Sequence, residues 1–181
     1  MYYEKGIIFQ QLKYELELLK RFELTNCKTT ITPIETNHKL DSDVEGDDVD
    51  PTTFKHLVGS LRYLYNTRPG IRYEVGMVNR FMSKQKWSHY QAVIMILRYI
   101  KGTLKYGVLF SSGVKSESEL VCYSDYDWCG DKVDRRSTSG YFFKCLGGLI
   151  SWCSKKQLVV AFSTYEAEYI AGALFVCEVD D

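Results

Sequence analysis

Apolar residues recur at two different periods along this chain, and the change of period divides it. Leu12, Leu16, Leu19 and Phe22 fall at helical spacing and predict an amphipathic helix over residues 10–22. Leu57, Leu61 and Leu64 mark a second helix that stops before Arg68-Pro69-Gly70, because proline disfavours helix for the residue before it and glycine permits a turn. A third helix is predicted over residues 71–82, with Val75, Val78 and Met82 on one face. A fourth runs from Ser88, read as its N-cap, to Lys101, where Gly102 ends it. Beyond Gly102 the pattern becomes extended. Residues 106–110 and 120–125 read as strands around a Ser-Ser-Gly turn, and residues 140–146 and 149–153 as a hairpin about Gly147-Gly148. Residues 158–162 read as a short further strand, or as the end of the one before it. Ser163 or Thr164 then caps a helix of about fourteen residues with Glu166 in its first turn. The expected fold class is α+β: a small helical bundle, then an antiparallel sheet of at least three strands followed by one helix.

With 181 residues, 45% hydrophobic and 14% aromatic, the chain can bury the core of one medium domain or two small ones. The six cysteines (27, 122, 129, 145, 153 and 177) show no C-x-x-C spacing, and three lie in apolar strand-like runs. That usage fits buried, reduced thiols of an intracellular protein, in cytoplasm or nucleus, and argues against a disulfide framework. No apolar run approaches the roughly 20 residues of a membrane span, and Met1-Tyr2-Tyr3-Glu4 does not open like a signal peptide.

The formal charge of zero conceals an asymmetry. Residues 54–105 carry ten Lys or Arg against Glu74 alone, about +9, whereas residues 35–50 carry seven acidic residues against Lys39, about −6. The acidic tract reads as a solvated linker. Tyr63, Tyr65, Tyr73, Phe81, Trp87, Tyr90 and Tyr99 interleave the basic stretch. Cations that meet phosphates beside rings that stack are the composition of a nucleic-acid surface, for which Arg62, Arg68, Arg80, Lys84, Lys86, Arg98 and Lys101 are the candidates. The competing reading is core aromatics beneath solvated lysines.

Two carboxylates stand where chemistry is plausible: Asp125, at the end of the apolar run from Leu120, and Glu168, within Ala167-Glu168-Tyr169-Ile170-Ala171. A strand and a helix that bring two such groups together make half of a site for a hard cation. Glu166 is the weaker helix candidate, since residues two apart on a helix point about 200° apart. Asp127 shares a strand face with Asp125 and reads as a solvated strand end or a group supporting it. Other acidic groupings read as coincidence. Gly46-Asp47-Asp48 and Val179-Asp180-Asp181 imitate polymerase motifs without the flanking hairpins, and Asp41, Asp43, Glu45 and Gly46 imitate a calcium loop whose twelfth position is Thr52. His38, His56 and His89 have no ligand-spaced neighbours.

Four segments in order carry a resemblance. They are Tyr123-Ser124-Asp125-Tyr126-Asp127-Trp128-Cys129-Gly130-Asp131, Asp134-Arg135-Arg136-Ser137-Thr138-Ser139-Gly140-Tyr141, Ser151-Trp152-Cys153-Ser154-Lys155-Lys156-Gln157 and Glu166-Ala167-Glu168-Tyr169-Ile170-Ala171. Together they resemble the ribonuclease H part of copia-type LTR retrotransposon Pol polyproteins. Upstream, Leu57-Val58-Gly59-Ser60-Leu61, Asn66-Thr67-Arg68-Pro69, Asn79-Arg80-Phe81-Met82 and Leu97-Arg98-Tyr99-Ile100-Lys101-Gly102-Thr103 resemble the region joining reverse transcriptase to ribonuclease H in that family. Gly6-Ile7-Ile8-Phe9-Gln10 and Leu18-Leu19-Lys20-Arg21-Phe22 are similar to the stretch after the polymerase palm. Departures include Gly70 after Arg-Pro, Tyr126 and Cys129 around the first aspartate, and Tyr165 in a usual threonine position, where it would narrow a groove.

The resemblance implies the tail of reverse transcriptase over 1–34, an acidic linker over 35–53, a basic helical connection over 54–105, and a truncated ribonuclease H-like domain over 106–181. It implies Asp125 and Glu168 as metal ligands, Mg²⁺ as cofactor, and an RNA–DNA hybrid as partner, cut by two-metal hydrolysis that needs about four carboxylates. The polymerase aspartates and two ribonuclease H ligands have no counterpart here, so weak magnesium binding and catalytic incompleteness are expected. The convergence of the remaining pair requires both side chains on one side of the sheet. Two alternatives stand beside this reading. One is a non-catalytic nucleic-acid-binding protein acting through residues 54–105, and the other is a site completed by carboxylates from a second chain.

Overall fold

The structure, a computed structural model, describes residues 2–3, 6–34, 40, 47–111, 120–131, 133–145 and 147–179. The chain forms two compact units, Phe9–Val108 and Met1–Ile8 with Leu109–Asp181.

The first unit is helical. It contains α1 (Leu12–Arg21), α2 (Pro51–Leu64), a 3-10 turn over Pro69–Ile71, α3 (Arg72–Asn79) and α4 (Trp87–Gly102). Helix α2 starts where the sequence supplies both an acceptor and a fixed φ. The Thr53 N–H donates to Asp50 Oδ2 at 2.7 Å, and Pro51 occupies the first turn, whose N–H would have no helical partner. Its apolar face, Phe54, Leu57, Val58, Leu61 and Leu64, is fully buried against Ile71, Val75 and Val78 and against Val93, Ile96, Leu97 and Ile100 of α4. Burial of each such aliphatic side chain contributes about 1.5–3 kcal/mol, which makes this cluster the main stabilising feature of the unit.

Helix α4 is capped differently from the expectation. Ser88 lies inside the first turn, and the Lys86 N–H at the N-cap donates to Nδ1 of His89 at 3.0 Å. Buried His89 also stacks on Phe81, ring centroids 3.8 Å apart. Imidazole therefore takes the third-position half of a capping box, accepting the N-cap amide as a Glu or Gln side chain would. The last part of the acidic tract is structured too. Asp48 pairs as an isolated bridge with Lys86, and the Trp87 N–H donates to Asp47 O at 3.0 Å. The calcium-loop imitation at Asp41, Asp43, Glu45 and Gly46, with His38, lies outside the described residues, as do Asp180 and Asp181.

The second unit holds two antiparallel arrangements. Strands β1 (Tyr2–Tyr3), β2 (Gly6–Phe9) and β3 (Val108–Ser111) form one sheet in that order. Strands β4 (Val121–Asp127), β5 (Thr138–Cys145) and β6 (Gly148–Lys156) form the other, also in chain order, followed by α5 (Thr164–Val179). The segment around residues 106–110 therefore joins an N-terminal strand rather than β4. Alternation states which face is apolar, not which strand is the partner, so this pairing was not readable from residues 106–125 alone. Residues 158–162 form no strand. The Gln157 N–H donates to Ser137 O at 2.8 Å, and the chain then turns away to expose Leu158, Val159 and Phe162.

The β5–β6 hairpin closes with Cys145 opposite Gly148, so Gly148 belongs to the strand and Gly147, at φ +77°, to the turn. A Cβ on Gly148 would lie 2.5 Å from the Phe110 ring; the absent side chain is what lets Phe110 approach this strand. Helix α5 begins as the sequence indicates. The Glu166 N–H donates to Ser163 Oγ at 3.1 Å, and Glu166 Oε2 accepts from the Phe162 N–H at 2.7 Å. Ala167 and Ala171 are buried, and Phe175 stacks on Phe143 at 5.1 Å, which fixes the helix to β5. The six cysteines are free, and none is fully buried, contrary to expectation. Among the described residues no helix is long and apolar enough to cross a membrane.

Candidate functional site

Register decides where Asp125 points. In an antiparallel pair, directly opposed residues share a face. Asp125 is opposite Gly140, Tyr123 opposite Phe142, and Asp127 opposite Thr138. The other set on β5, Ser139, Tyr141 and Phe143, meets the helix: Tyr141 and Phe143 lie 6.5 and 5.1 Å from Phe175, and Ser139 is tied to α5 through Gln157. Asp125 therefore lies on the face turned away from α5, with the stacked Tyr123–Phe142 pair and Lys144 over both rings. It is exposed, and its Oδ1 accepts from the Tyr126 N–H at 2.8 Å. Glu168 is exposed on α5, next to buried Ala167. The two carboxylates do not share the sheet face that their convergence requires.

The other acidic residues of this region have local structural partners. Glu166 caps α5, as described. Asp127 is not a solvated strand end. It is half-buried, and its Oδ1 accepts from the Thr138 N–H. Gly130 packs so closely on that carboxylate that a Cβ there would lie 1.9 Å from Oδ2. Among the described residues no three His, Cys, Asp or Glu side chains are grouped to hold a metal ion. The donor set here therefore does not fit a two-ion magnesium centre.

The residues that most firmly organise this region are Asp131, Asp134, Lys156 and Gln157, whose place in the motifs suggests no role by itself. Asp131 Oδ1 accepts from the Val133 and Asp134 N–H groups at 2.9 and 3.3 Å, and Asp131 Oδ2 meets Lys156 Nζ at 2.6 Å. Lys156 reaches Asp134 Oδ2 at the same distance. Burial pushes the Asp131 carboxyl up, but the Lys156 ammonium and the two backbone donors outweigh it and hold it down at about 2. The segment joining β4 to β5 is thus a closed loop, stapled by its own aspartates to the end of β6. Gln157 does the same for the helix. Its buried Nε2 donates to Ser139 Oγ at 2.9 Å and to Ala167 O at 3.0 Å, spanning strand and helix beside Glu168. The signal was present in the pattern Asp-x-x-Asp, whose side chains close turns on nearby amides. It was not legible that a lysine and glutamine more than twenty residues onward would complete it.

The basic candidates separate by burial. Arg68 is 4% exposed, and its Nη1 donates to Glu15 Oε1 at 2.8 Å and to Thr103 O at 2.9 Å. It stands over the Tyr106 ring as well. A guanidinium so enclosed does not reach a phosphate, which removes Arg68 from the candidate interface. Arg98 Nε donates to Lys28 O at 2.7 Å, and Lys101 Nζ donates to Cys27 O, so both fasten the segment after α1. Lys86 pairs with Asp48 at 2.8 Å. Arg80 is half-buried, while Arg62 and Lys84 are exposed.

Comparison with known proteins gives the wider frame. No family model and no solved structure matches the chain. A retrovirus-related Pol polyprotein from transposon RE1 of Arabidopsis thaliana is 41% identical over 164 residues, 91% of this chain and 11% of that protein. The Pol polyprotein from transposon TNT 1-94 of Nicotiana tabacum is 40% identical over 169 residues, 90% of this chain and 12% of that protein. An uncharacterized mitochondrial protein of Arabidopsis thaliana is 36% identical over 177 residues, 96% of this chain and 71% of its own length. The chain spans about a tenth of the length of the polyproteins it matches. With nearly all of its sequence aligned to them, the chain belongs to the family of copia-type retrovirus-related Pol polyproteins.

Proposed function

We propose that this chain corresponds to the end of reverse transcriptase, its connection to ribonuclease H, and the opening strands and first helix of ribonuclease H. In the ancestral polyprotein its role is RNA-directed DNA synthesis coupled to cleavage of RNA in RNA–DNA hybrids. On its own it does not cleave. The observation that carries the last statement is the register, which turns Asp125 to one face of the sheet while α5, with Glu168, packs on the other. Support for the placement comes from element order: a meander of three strands with an aspartate on the first, then a helix carrying Ala-Glu-Tyr. Were Mg²⁺ bound weakly at either carboxylate, it would supply charge neutralisation of a phosphate.

The test is hybrid cleavage in the presence of magnesium, for the unmodified chain and for Asp125→Asn and Glu168→Gln. Equal, background-level cleavage by all three is expected. Robust cleavage by the unmodified chain that Asp125→Asn abolishes would overturn inactivity and point to carboxylates supplied by a second chain. A non-catalytic nucleic-acid role for residues 54–105 is narrowed by Arg68, Lys86, Arg98 and Lys101, whose polar groups meet partners within the fold. Of the named cations, exposed Arg62 and Lys84 and half-buried Arg80 are left to carry it, beside exposed Lys55 and Lys105.

A further inference from the structure

Helix α5 is apolar on two sides. One side, Ala167, Ala171 and Phe175, packs on the sheet. The other carries Tyr165, Tyr169, Gly172 and Val176, spaced four, three and four residues apart. At 100° per residue these four positions fall within an arc of roughly 60°, so they form one straight stripe. The stripe is open: Tyr165 is 82% exposed, Tyr169 81% and Val176 55%. Phe162, just before the helix, is 89% exposed. Helices apolar on both sides are ordinarily covered on both sides.

We propose that this stripe is a self-association surface, on which α5 pairs antiparallel with α5 of a second copy of this chain. Alternation of three and four residues is the spacing by which two helices interlock side chains along a shared seam. The order of residue sizes fits a two-fold axis crossing the helix midway between Tyr169 and Gly172. About that axis Tyr169 lies opposite Gly172 of the second copy, and Tyr165 opposite Val176. Large therefore meets small twice, and each contact occurs twice by symmetry. Gly172 has the room this requires, since a Cβ placed on it would have no atom within 4 Å. A tyrosine ring entering from a second helix meets backbone there, which allows the axes to approach to about 8 Å.

The area is of the right size. An aromatic side chain carries about 150–250 Å², so Tyr165 and Tyr169 at more than four-fifths exposure present about 250–400 Å² on the stripe, and Phe162, two residues before the helix, adds about 130–220 Å² of exposed ring. That reaches the largest apolar patch usual on a monomer, about 300–600 Å². With Val176 it supplies most of the roughly 800 Å² per partner of a stable interface. Of the helix's acidic residues, Glu166 and Glu168 flank the stripe and Glu178, by helical spacing, falls on the far side, so the centre of the stripe is uncharged.

Sedimentation equilibrium of the full chain in reducing buffer, from low to high micromolar concentration, tests the pairing. The unmodified chain is expected to dimerise, and Tyr169→Lys to raise the dimer dissociation constant on the order of 30-fold or more, as loss of a central aromatic anchor does. Gly172→Leu guards against loss of fold. It closes the hole the tyrosine enters, yet has open space in the single chain and improves helix propensity, so it should abolish the dimer without lowering the melting temperature. A monomer throughout the concentration range for the unmodified chain overturns the proposal. So does association that both substitutions leave unchanged, because that association would use another surface.

Discussion

Asp131 shows how an acidic residue within a family motif can be wholly occupied by architecture. Its carboxylate holds two backbone N–H groups and the Lys156 ammonium, and these keep its ionisation at about 2 against an ordinary 3.8. A carboxyl depressed in the folded state adds stability that is present above 3.8 and is lost as pH falls through about 2. Discounted for solvent screening, the contribution is about 1–2 kcal/mol. Asp131→Asn is therefore expected to lower urea-measured stability by about that amount at pH 7 and by much less near pH 2. Equal destabilisation at both values would mean that the ion pair is not the cause. The acidic residues here were all visible in the sequence, but their duties were not. Asp127, Asp131, Asp134 and Glu166 satisfy backbone amides from half-buried positions, whereas Glu168 and Asp125, the latter also accepting a backbone N–H, face solvent, and only the tertiary structure separates the two groups.

At the level of elements, the buried Glu15–Arg68 pair links α1 to the turn before α3 and, through Thr103, to the end of α4. Burial raises the Glu15 carboxyl above its ordinary 4.5, and Arg68 opposes that rise without cancelling it. The stability tied to this group is thus fullest below 4.5 and declines as pH rises. Removing Arg68 leaves a carboxylate enclosed without its cation, at a cost of about 3–5 kcal/mol. Arg68→Ala is expected to be destabilised by that much at pH 7, and by clearly less near pH 4, where Glu15 takes up a proton. Chemical denaturation at the two pH values measures the difference, and a pH-independent loss would assign the effect to packing. Helix positions were largely legible because an amphipathic face repeats within the element that carries it: Leu57, Leu61 and Leu64 announce α2 without reference to anything else. The cap of α4 was not legible, since it depends on the His89 ring being held by Phe81.

For the molecule as a whole, no group of three acidic, His or Cys side chains is gathered among the described residues, so magnesium is expected to bind weakly. With a dissociation constant in the millimolar range, 1 mM Mg²⁺ adds about 0.4 kcal/mol, a rise in melting temperature of about 1–2 °C for a chain of this size. A thermal melt with and without magnesium reads this directly. A rise beyond about 5 °C that Asp125→Asn removes would reveal a formed metal centre. Sequence by itself determined the helical first part, the meander of β4, β5 and β6, the N-terminus of α5 and membership of a Pol family, because each rests on local periodicity, local capping or matched residues. Tertiary structure alone decided that Val108–Ser111 joins an N-terminal strand, that Arg68 is enclosed, and that Asp125 and α5 occupy opposite faces of the sheet. Those outcomes depend on strand partner, register and burial, which are set by contacts between residues far apart in the chain and leave no periodic trace within it.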